Sequence, residues 1–388
     1  MRILFYLPVV TPWWFDHIVA RLIERVAREA EVHVMVPPLW QGTGIGPDQL
    51  LGVDGSDRIA WHILDGEGHE RLRTCAAGFD ALFDLVAEID ADITFCRSAD
   101  VESPRRFPGT VRYLMEGAFP PFPSRDEWIV LREQPFDHGA MPPIGAEAET
   151  ALVRAIEPAW HRTRQLFGQE DRASRLHRLG LPADRLVLAL PLEYEHEENF
   201  FGIHRSHADN AALVAELADS LDANAVLAVT DHPLNRLYCD RSALHETIAR
   251  RGGAVRLIEG EGEPKQATLD LVAACDGLVV GNSKAITIGG FLGKPILRLS
   301  DHASGAWLNA GTDLAAFTVG LRSGSAPTPS ASGAQAWFAF HAANSVIDPA
   351  DADLDAGSLF ERVEKPVDPR RWHASLLRYA QTYPELFQ

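Results

Sequence analysis

The segment 271–298 restricts the fold more than any other part of the chain. It reads LVAACDGLVVGNSKAITIGGFLGKPILR, in which the apolar run Leu278–Val280 precedes a polar loop, a second apolar face and the turn Gly293-Lys294-Pro295. Such an order is typical of a strand, a loop, a helix and a second strand of a parallel sheet. We therefore predict an α/β unit here, with a helix that begins at Ser283.

The start of this predicted helix is a candidate anion site. The first backbone N–H groups of a helix have no partner inside the helix, and the helix dipole places partial positive charge at the same end. A phosphate group fits such a position. The alternative interpretation is that Ser283 only caps its helix, which serine does often.

The amino-terminal part of the chain shows the same alternation. An apolar run at Ile3–Leu7 is followed by a helical pattern with one apolar face, and Glu31–Val36 has the pattern of a strand. A β-α-β opening predicts a parallel sheet whose functional loops lie at the carboxyl ends of its strands. Further elements are predicted at Arg58–Leu64 (strand), Phe79–Ile89 (helix), Asp92–Cys96 and Thr110–Met115 (strands), and Ala146–Phe167 (helix).

A second alternation predicts a second domain. The sequence has 388 residues, more than one hydrophobic core usually organises. We predict an α/β fold of two Rossmann-like domains that face each other across a cleft: residues 1–168, residues 169–360, and a C-terminal helix within 361–388 that packs back on the first domain. The predicted elements of the second domain are Leu186–Leu190, Ala225–Val229 and Ala254–Ile258 (strands), and Asn210–Leu221, Ser242–Arg251 and Ala267–Ala274 (helices).

Charge and composition exclude some classes of function. The formal net charge is −18, with 36 basic and 54 acidic residues, which argues against a nucleic-acid-binding protein. The four cysteines lack zinc-ligand spacing, and the apolar N-terminus reads as a strand instead of a signal peptide. We expect a cytoplasmic protein; peripheral attachment at the inner face of the membrane stays open.

Candidate catalytic and acceptor-binding residues lie in the first domain. Glu116 follows the strand Thr110–Met115 and precedes Gly117, so a sharp backbone turn can present its carboxylate to the cleft. The alternative is an exposed glutamate in a proline-rich turn. Trp13 and Trp14, in the loop after the first strand, are candidates for stacking on a sugar, with packing between domains as the alternative.

Candidate nucleotide-binding residues lie in the second domain. His232 and Pro233 follow a predicted strand, and a histidine held there can donate a ring N–H to a phosphate oxygen. Asn282, Ser283 and Lys284 lie in the loop of the anion site, where Lys284 could neutralise phosphate charge. The alternatives are an ordinary loop histidine and an exposed lysine in a first helical turn.

These motifs together resemble the capsule polysaccharide biosynthesis family of glycosyltransferases, which includes bacterial Kdo transferases and is similar in architecture to bacterial sialyltransferases. The resemblance is best over Val187–Ala306, through the segments AVTDHPLNR and GNSKAITIGGFLGKPILRLSDH; in the first domain it depends on EGAFPP. It implies the GT-B fold and a CMP-activated sugar donor. By this resemblance, His232 and Pro233 contact CMP, Ser283 binds donor phosphate, and Glu116 takes part in catalysis.

The sequence departs from the family pattern at three places. Met115 stands where a second acidic residue is frequent, Asn282 replaces the first member of a serine pair, and Gly289 and Gly290 occupy the region of a further glutamate. These departures bear on the identity of the donor more than on the fold.

The resemblance implies an enzyme that transfers a sugar, such as the acidic sugar Kdo, from a CMP-activated donor to a glycan or lipid-linked glycan of a surface polysaccharide. No cofactor or metal is expected, since the helix dipole and His232 can stabilise the leaving nucleotide. Peripheral association with glycan assembly machinery stays open. The alternatives are a UDP-sugar transferase or epimerase on the same fold, and a non-catalytic glycan-assembly partner.

Overall fold

Two β-sheets organise the chain. The computed structural model describes residues 1–259 and 264–388, and within them the first sheet has six strands in the order β3-β2-β1-β4-β5-β6. All its neighbours are parallel except β5 and β6, which pair antiparallel. The strands are β1 (Arg2–Tyr6), β2 (Glu31–Val36), β3 (Ile59–Ile63), β4 (Ile93–Cys96), β5 (Thr110–Glu116) and β6 (Ile129–Arg132).

The second sheet is parallel throughout. Its order in the described residues is β11-β10-β7-β8-β9, so the chain winds outward in both directions from β7. Both sheets thus reverse direction next to their first strand, which is the Rossmann-like arrangement. The strands are β7 (Leu186–Pro191), β8 (Ala225–Thr230), β9 (Val255–Leu257), β10 (Gly277–Val280) and β11 (Ile296–Arg298).

Helices connect the strands of both sheets. π-helical turns at Phe15–Val19 and His341–Ser345 continue two of the helices. The α-helices are α1 (Pro12–Trp14), α2 (Ala20–Val26), α3 (Pro47–Leu51), α4 (Asp80–Ile89), α5 (Ala146–Gly168), α6 (Arg172–Arg178), α7 (Asn210–Asp219), α8 (Pro233–Tyr238), α9 (Ser242–Arg251), α10 (Pro264–Ala274), α11 (Ala285–Leu292), α12 (Leu314–Ser323), α13 (Ala331–Phe340), α14 (Ala356–Glu364) and α15 (Pro369–Thr382).

The predicted fold class is confirmed by this topology: an α/β chain with two Rossmann-like domains. The apolar face predicted for the first helix is buried against the first sheet, through residues that include Phe15, Ile18 and Leu22. The edge strand β6 was not predicted. It has only four residues and follows the proline-rich turn after Glu116, so no alternating pattern is long enough to reveal it.

The chain returns to the first domain before its predicted boundary at residue 360. Ile347 and the buried residues of α14 lie in the same apolar core as β1, β2 and the first helix. Trp372 and Tyr379 of α15 then join Phe119 and Trp128 in a second cluster. The predicted boundary therefore falls within α14, a helix that completes the first domain.

None of the helices in the described residues is long and apolar enough to cross a membrane.

Candidate active site

Glu116 lies at the carboxyl end of β5, as predicted, and its carboxylate is held by an arginine. The Arg97 side chain donates a hydrogen bond of 2.6 Å from its terminal nitrogen to Glu116 Oε1. A second Arg97 nitrogen donates to the backbone oxygen of Leu114 at 3.0 Å. The Arg97 side chain is 9% exposed and that of Glu116 is 29% exposed, so the carboxylate keeps access to the cleft.

The surroundings of Glu116 keep it ionised. Burial raises the pKa of this carboxyl, but the charges of Arg97 and Lys284 outweigh that effect and bring the pKa down to about 2. Lys284 comes from the second domain, so charges from both domains act on the same carboxylate. At neutral pH Glu116 is therefore a carboxylate that accepts hydrogen bonds and attracts positive charge.

Arg97 was not predicted from the sequence. It follows β4, which lies next to β5 in the sheet, and its guanidinium is 3.9 Å from the ring centre of Trp14 and 4.8 Å from that of Phe201. Phe201 belongs to the second domain. The available signal was its position: the first residue after a predicted strand lies at the edge where the site forms.

The two predicted acceptor-site tryptophans have different environments. Trp14 is buried in the core of the first domain and packs against Arg97 of the same domain, so its packing lies within that domain and not between domains. Trp13 is 42% exposed, and its ring stacks on His17 with the ring centres 4.9 Å apart. Only Trp13 keeps an open face, and its role in acceptor binding stays a prediction.

The helix of the anion site begins two residues later than predicted. Helix α11 starts at Ala285, and the Ser283 hydroxyl accepts a hydrogen bond from the Ala285 N–H at 3.2 Å. Ser283 therefore caps the first turn. The backbone N–H groups of Ser283 and Lys284 have no hydrogen-bond acceptor among the described residues. These groups, together with the Lys284 ammonium, form the part of the loop that is free to bind an anion.

Asn282 holds the loop in place. Its side-chain nitrogen donates to the backbone oxygen of His204 at 2.9 Å, and its side-chain oxygen accepts from the Ser300 hydroxyl at 2.6 Å. Its backbone oxygen accepts from His138 Nε2 of the first domain at 2.9 Å. Both polar side-chain atoms of Asn282 are thus hydrogen-bonded to neighbouring protein groups. This arrangement fits a positioning role better than the predicted contact with nucleotide.

Gly281 allows the loop to approach Glu193. The carboxylate of Glu193 accepts a hydrogen bond from the backbone N–H of Asn282, and a Cβ added at Gly281 would lie 2.3 Å from Glu193 Oε1. A side chain at position 281 would therefore displace the Glu193 carboxylate and disturb its hydrogen bond to Asn282. The sequence predicted the loop but not this requirement, because Glu193 follows a different strand.

One small cavity between the domains brings predicted residues together. It has a volume of about 50 Å³ and is lined by Glu116 from the first domain and by Asn282 and Lys284 from the second. His138 and His341 also line it, and burial lowers the pKa of each to about 3, so both are neutral at neutral pH. Ser283, His232 and Pro233 lie outside the lining of this cavity.

The His232 ring has a donor at Nε2 from which no described residue accepts. Its Nδ1 atom accepts a hydrogen bond from the Leu234 N–H at 3.3 Å, so the proton of the neutral ring is on Nε2. Burial, with a smaller effect of the Lys284 charge, lowers the pKa of His232 to about 4. Pro233 is the first residue of α8 and fixes the turn. The charge of Lys284 thus lowers the pKa of both His232 and Glu116.

A buried ion network supports the His232 loop. The Asp231 carboxylate accepts hydrogen bonds from the His232 N–H at 2.9 Å and from Arg241 Nε at 2.8 Å. Asn235 donates to the same carboxylate at 2.8 Å, and Arg241 also pairs with Glu195. The network fixes the backbone of the loop at His232, and in the sequence it is visible only as the polar run TDHPLN.

A short segment of the second domain, Phe200–His204, contacts the first domain. Phe200 stacks on Trp40 of the first domain with the ring centres 5.8 Å apart, and His204 Nε2 donates to the backbone oxygen of Ala99 at 2.8 Å. This 3₁₀ segment has no periodic pattern that would identify it in the sequence.

No group of three or more histidine, cysteine, aspartate or glutamate side chains among the described residues is arranged to hold a metal ion. The expectation of a metal-independent site stays a prediction.

No protein-family model matches the sequence, and no curated protein matches it significantly. Among solved structures, the chain is similar to the beta Kdo 2,7 transferase of Thermosulfurimonas dismutans KpsC, with a TM-score of 0.49, 13% identity and coverage of 95% of this chain and 100% of that chain. The chain is also similar to the beta Kdo 2,4 transferase of the same protein, with a TM-score of 0.41, 12% identity and coverage of 80% of this chain and 91% of that chain. A third similar structure is Anabaena HepE in complex with UDP, with a TM-score of 0.36, 12% identity and coverage of 94% of this chain and 99% of that chain.

Kdo transferases are thus among the structures to which the chain is similar, as the sequence resemblance led us to expect. At these identities and TM-scores the likeness does not establish a shared activity. The description as two Rossmann-like domains depends on the sheet topology given above.

Proposed function

We propose that the chain is a glycosyltransferase that moves an acidic sugar, such as Kdo, from a CMP-activated donor to a glycan of a surface polysaccharide. The observation that carries the proposal is the cavity between the domains, where the Glu116 carboxylate of the first domain faces Lys284 of the second. Groups that act on a donor and on an acceptor must come from both sides of such a cleft. The reaction would take place in the cytoplasm, with an acceptor that is free or lipid-linked.

The second domain supplies groups that suit the phosphate of the donor. The free N–H groups of Ser283 and Lys284 lie at the start of α11, where the helix dipole adds positive charge. The Lys284 ammonium and the Nε2–H of His232 can donate further hydrogen bonds. Together they would stabilise the negative charge that develops on the leaving nucleotide when the bond between sugar and phosphate oxygen breaks.

The first domain supplies the carboxylate that acts on the sugar or on the acceptor. In the ion pair with Arg97, Glu116 is a weak base, because its pKa is about 2, and it suits the stabilisation of positive charge on the sugar. A bound donor phosphate would attract Lys284 and add negative charge nearby. Both changes raise the pKa of Glu116 and so favour transfer of the acceptor's hydroxyl proton to it.

Calorimetric titration with CMP and with UDP tests the proposal. We expect the chain to bind CMP more tightly than UDP, and we expect CMP to raise the melting temperature, since a ligand that binds only the folded state stabilises it. Preference for UDP would overturn the choice of donor and favour a UDP-sugar enzyme. Absence of binding to either nucleotide would overturn the enzymatic proposal and favour a non-catalytic glycan-assembly partner.

A further inference from the structure

A second and larger cavity lies beside the candidate active site, and arginines line it. Its volume is about 310 Å³, and it lies between the edge of the first sheet and the segment that returns to the first domain. This volume is at the lower end of the roughly 300–1,000 Å³ that is typical of small-molecule sites. The arginines are Arg112 and Arg132 from β5 and β6, and Arg362 and Arg371 from α14 and α15. We call it the arginine pocket.

Positive charge exceeds negative charge in the arginine pocket. The lining residues described by the structure include these four arginines and two acidic residues, Glu133 and Asp137, an excess of two positive charges. Arg112 lies 3.5 Å from the Glu133 carboxylate, and Arg132 lies 3.4 Å from that of Asp137. The excess is local, because the whole chain carries a net charge of −18.

The other two arginines lack a carboxylate within 4 Å among the described residues. Arg362 donates to the backbone oxygen of Asn344 at 2.8 Å, and Arg371 donates to that of Pro366 at 2.8 Å. The buried Nε atom of Arg371 has no acceptor in the described part of the chain. Burial and the charge of Arg371 lower the pKa of Arg362 to about 10. Both side chains are partly buried, and the charges of Asp368 and Glu361 act on Arg371 from beyond 4 Å. The two guanidinium groups therefore form no ion pair with the described residues and keep N–H donors, such as Arg371 Nε, that an added anion can accept from.

The arginine pocket adjoins the cavity that contains Glu116. Arg132 and Asp137 line both cavities. The π-helical turn His341–Ser345 also spans them, because His341 faces the smaller cavity and Asn344 the larger. The two cavities therefore share a wall, and the arginine pocket reaches the surroundings of Glu116 from the side of the first domain.

We propose that the arginine pocket binds a carboxylate or phosphate group of the acceptor, and that the acceptor of this enzyme is an anionic glycan. The assignment to the acceptor rests on the proposed function, while anion binding at the pocket does not. A planar guanidinium group can donate two parallel hydrogen bonds to either type of anion. The acceptor would then be placed by its charge, with its hydroxyl directed to Glu116.

Three matched sugars test the pocket: glucuronate, glucose 6-phosphate and glucose, each titrated into the purified chain in a calorimeter. We expect at least one of the two anionic sugars to bind and glucose not to bind. The anionic sugar that binds more tightly identifies carboxylate or phosphate as the preferred group. Equal binding of all three sugars, or of none, would overturn the proposal.

Arg371→Ala should weaken binding of the anionic sugar by about tenfold or more, since a hydrogen bond to a charged group contributes about 1.5–3 kcal/mol. Arg371→Lys should restore part of the affinity. The exposed Arg250→Ala in α9 is the matched control and should leave affinity unchanged. Arg112→Ala provides an independent variant if Arg371→Ala does not fold. Unchanged affinity in both folded arginine variants would overturn the assignment.

CMP titration of the same proteins separates this inference from the proposed function. Anion binding that depends on Arg371 in a chain that binds no nucleotide would refute the acceptor role and the proposed function together, and would leave only an anion site. Nucleotide binding without anion binding would refute the arginine pocket alone. In the expected result, Arg371→Ala binds CMP as the wild type does and loses the anionic sugar.

Discussion

The two domains have similar sheets, but different chemical groups lie at the carboxyl ends of their strands. In the first domain, Arg97 follows β4 and Glu116 ends β5, and the two form an ion pair that supplies a fixed carboxylate. In the second domain, β8 and β10 lead into His232 and into the Ser283-Lys284 loop, which supply N–H groups and positive charge. The common topology therefore builds two complementary half-sites. Neither half alone has all the groups that the proposed reaction needs.

Glu116→Gln should have the largest effect, because it removes the charge of the first half-site. We expect the transfer rate to fall about 10²- to 10⁴-fold, the range in which a general acid or base contributes. CMP affinity should change less than twofold, since the proposed nucleotide site lies in the second domain. The exposed Glu102→Gln is the control. Undiminished transfer by Glu116→Gln would exclude Glu116 from the mechanism; the assay is transfer from the CMP-sugar to a glycan.

Lys284→Met should affect both half-sites. We expect CMP affinity to fall about 10- to 100-fold, because one charged hydrogen bond is lost. The pKa of Glu116 should rise, because Lys284 is one of the two cations that lower it. Calorimetry measures the affinity, and NMR titration of the Glu116 side chain measures the pKa. The exposed Lys265→Met is the control. A Glu116 pKa that does not change would show that Lys284 is not close to it in solution.

His341→Gln should reduce the loss of stability in acid. Burial lowers the pKa of His341 to about 3, whereas the unfolded chain has a pKa near 6.5, so the unfolded state binds more protons below pH 6.5. Stability should therefore fall as the pH drops below 6.5, by about 2 kcal/mol for this residue between pH 7 and pH 5. Glu116 loses its contribution only below pH 4.5 and does not affect this window.

The measurement is the free energy of unfolding of wild type and variant at both pH values. His161→Gln, at an exposed position, is the control and should keep the full pH dependence of the wild type. An equal loss of stability in wild type and His341→Gln would mean that His341 titrates normally in the folded chain.

His232→Ala should have the smallest effect, a loss of CMP affinity of about tenfold, as for one neutral hydrogen-bond donor to a charged oxygen. The exposed His177→Ala is the control. His232→Asn, which keeps a side-chain donor, should recover part of the affinity. If CMP binds equally well to His232→Ala, the second half-site consists of the Lys284 loop alone.

Local patterns in the sequence were enough to predict much of the fold. Every strand except β6 has an apolar run in the sequence, and Glu116 and His232 lie at or just after the ends of such runs, so their places at the carboxyl ends could be predicted from the sequence. What could not be read depends on contacts between distant segments. Arg97 meets Glu116 because β4 and β5 are neighbours, and Glu193 meets Asn282 because β7 and β10 are neighbours.

The arginine pocket shows the same limit more clearly. Arg112 and Arg132 lie in the first half of the sequence, and Arg362 and Arg371 lie near its end. Helix α14, which carries Arg362, was not predicted as a separate helix, and its packing on the first sheet has no local signal. A charge cluster that forms only when a distant segment returns to the same domain can be recognised only from the tertiary structure.

The return of the chain to the first domain has a consequence for synthesis. Residues from Ile347 to Val363 complete the core around β1 and β2, and they leave the ribosome only after the whole second domain. The first domain therefore keeps apolar surface of its core exposed until the second domain has been synthesised. A nascent chain stalled before residue 347 should need a chaperone to keep its first 168 residues from aggregating.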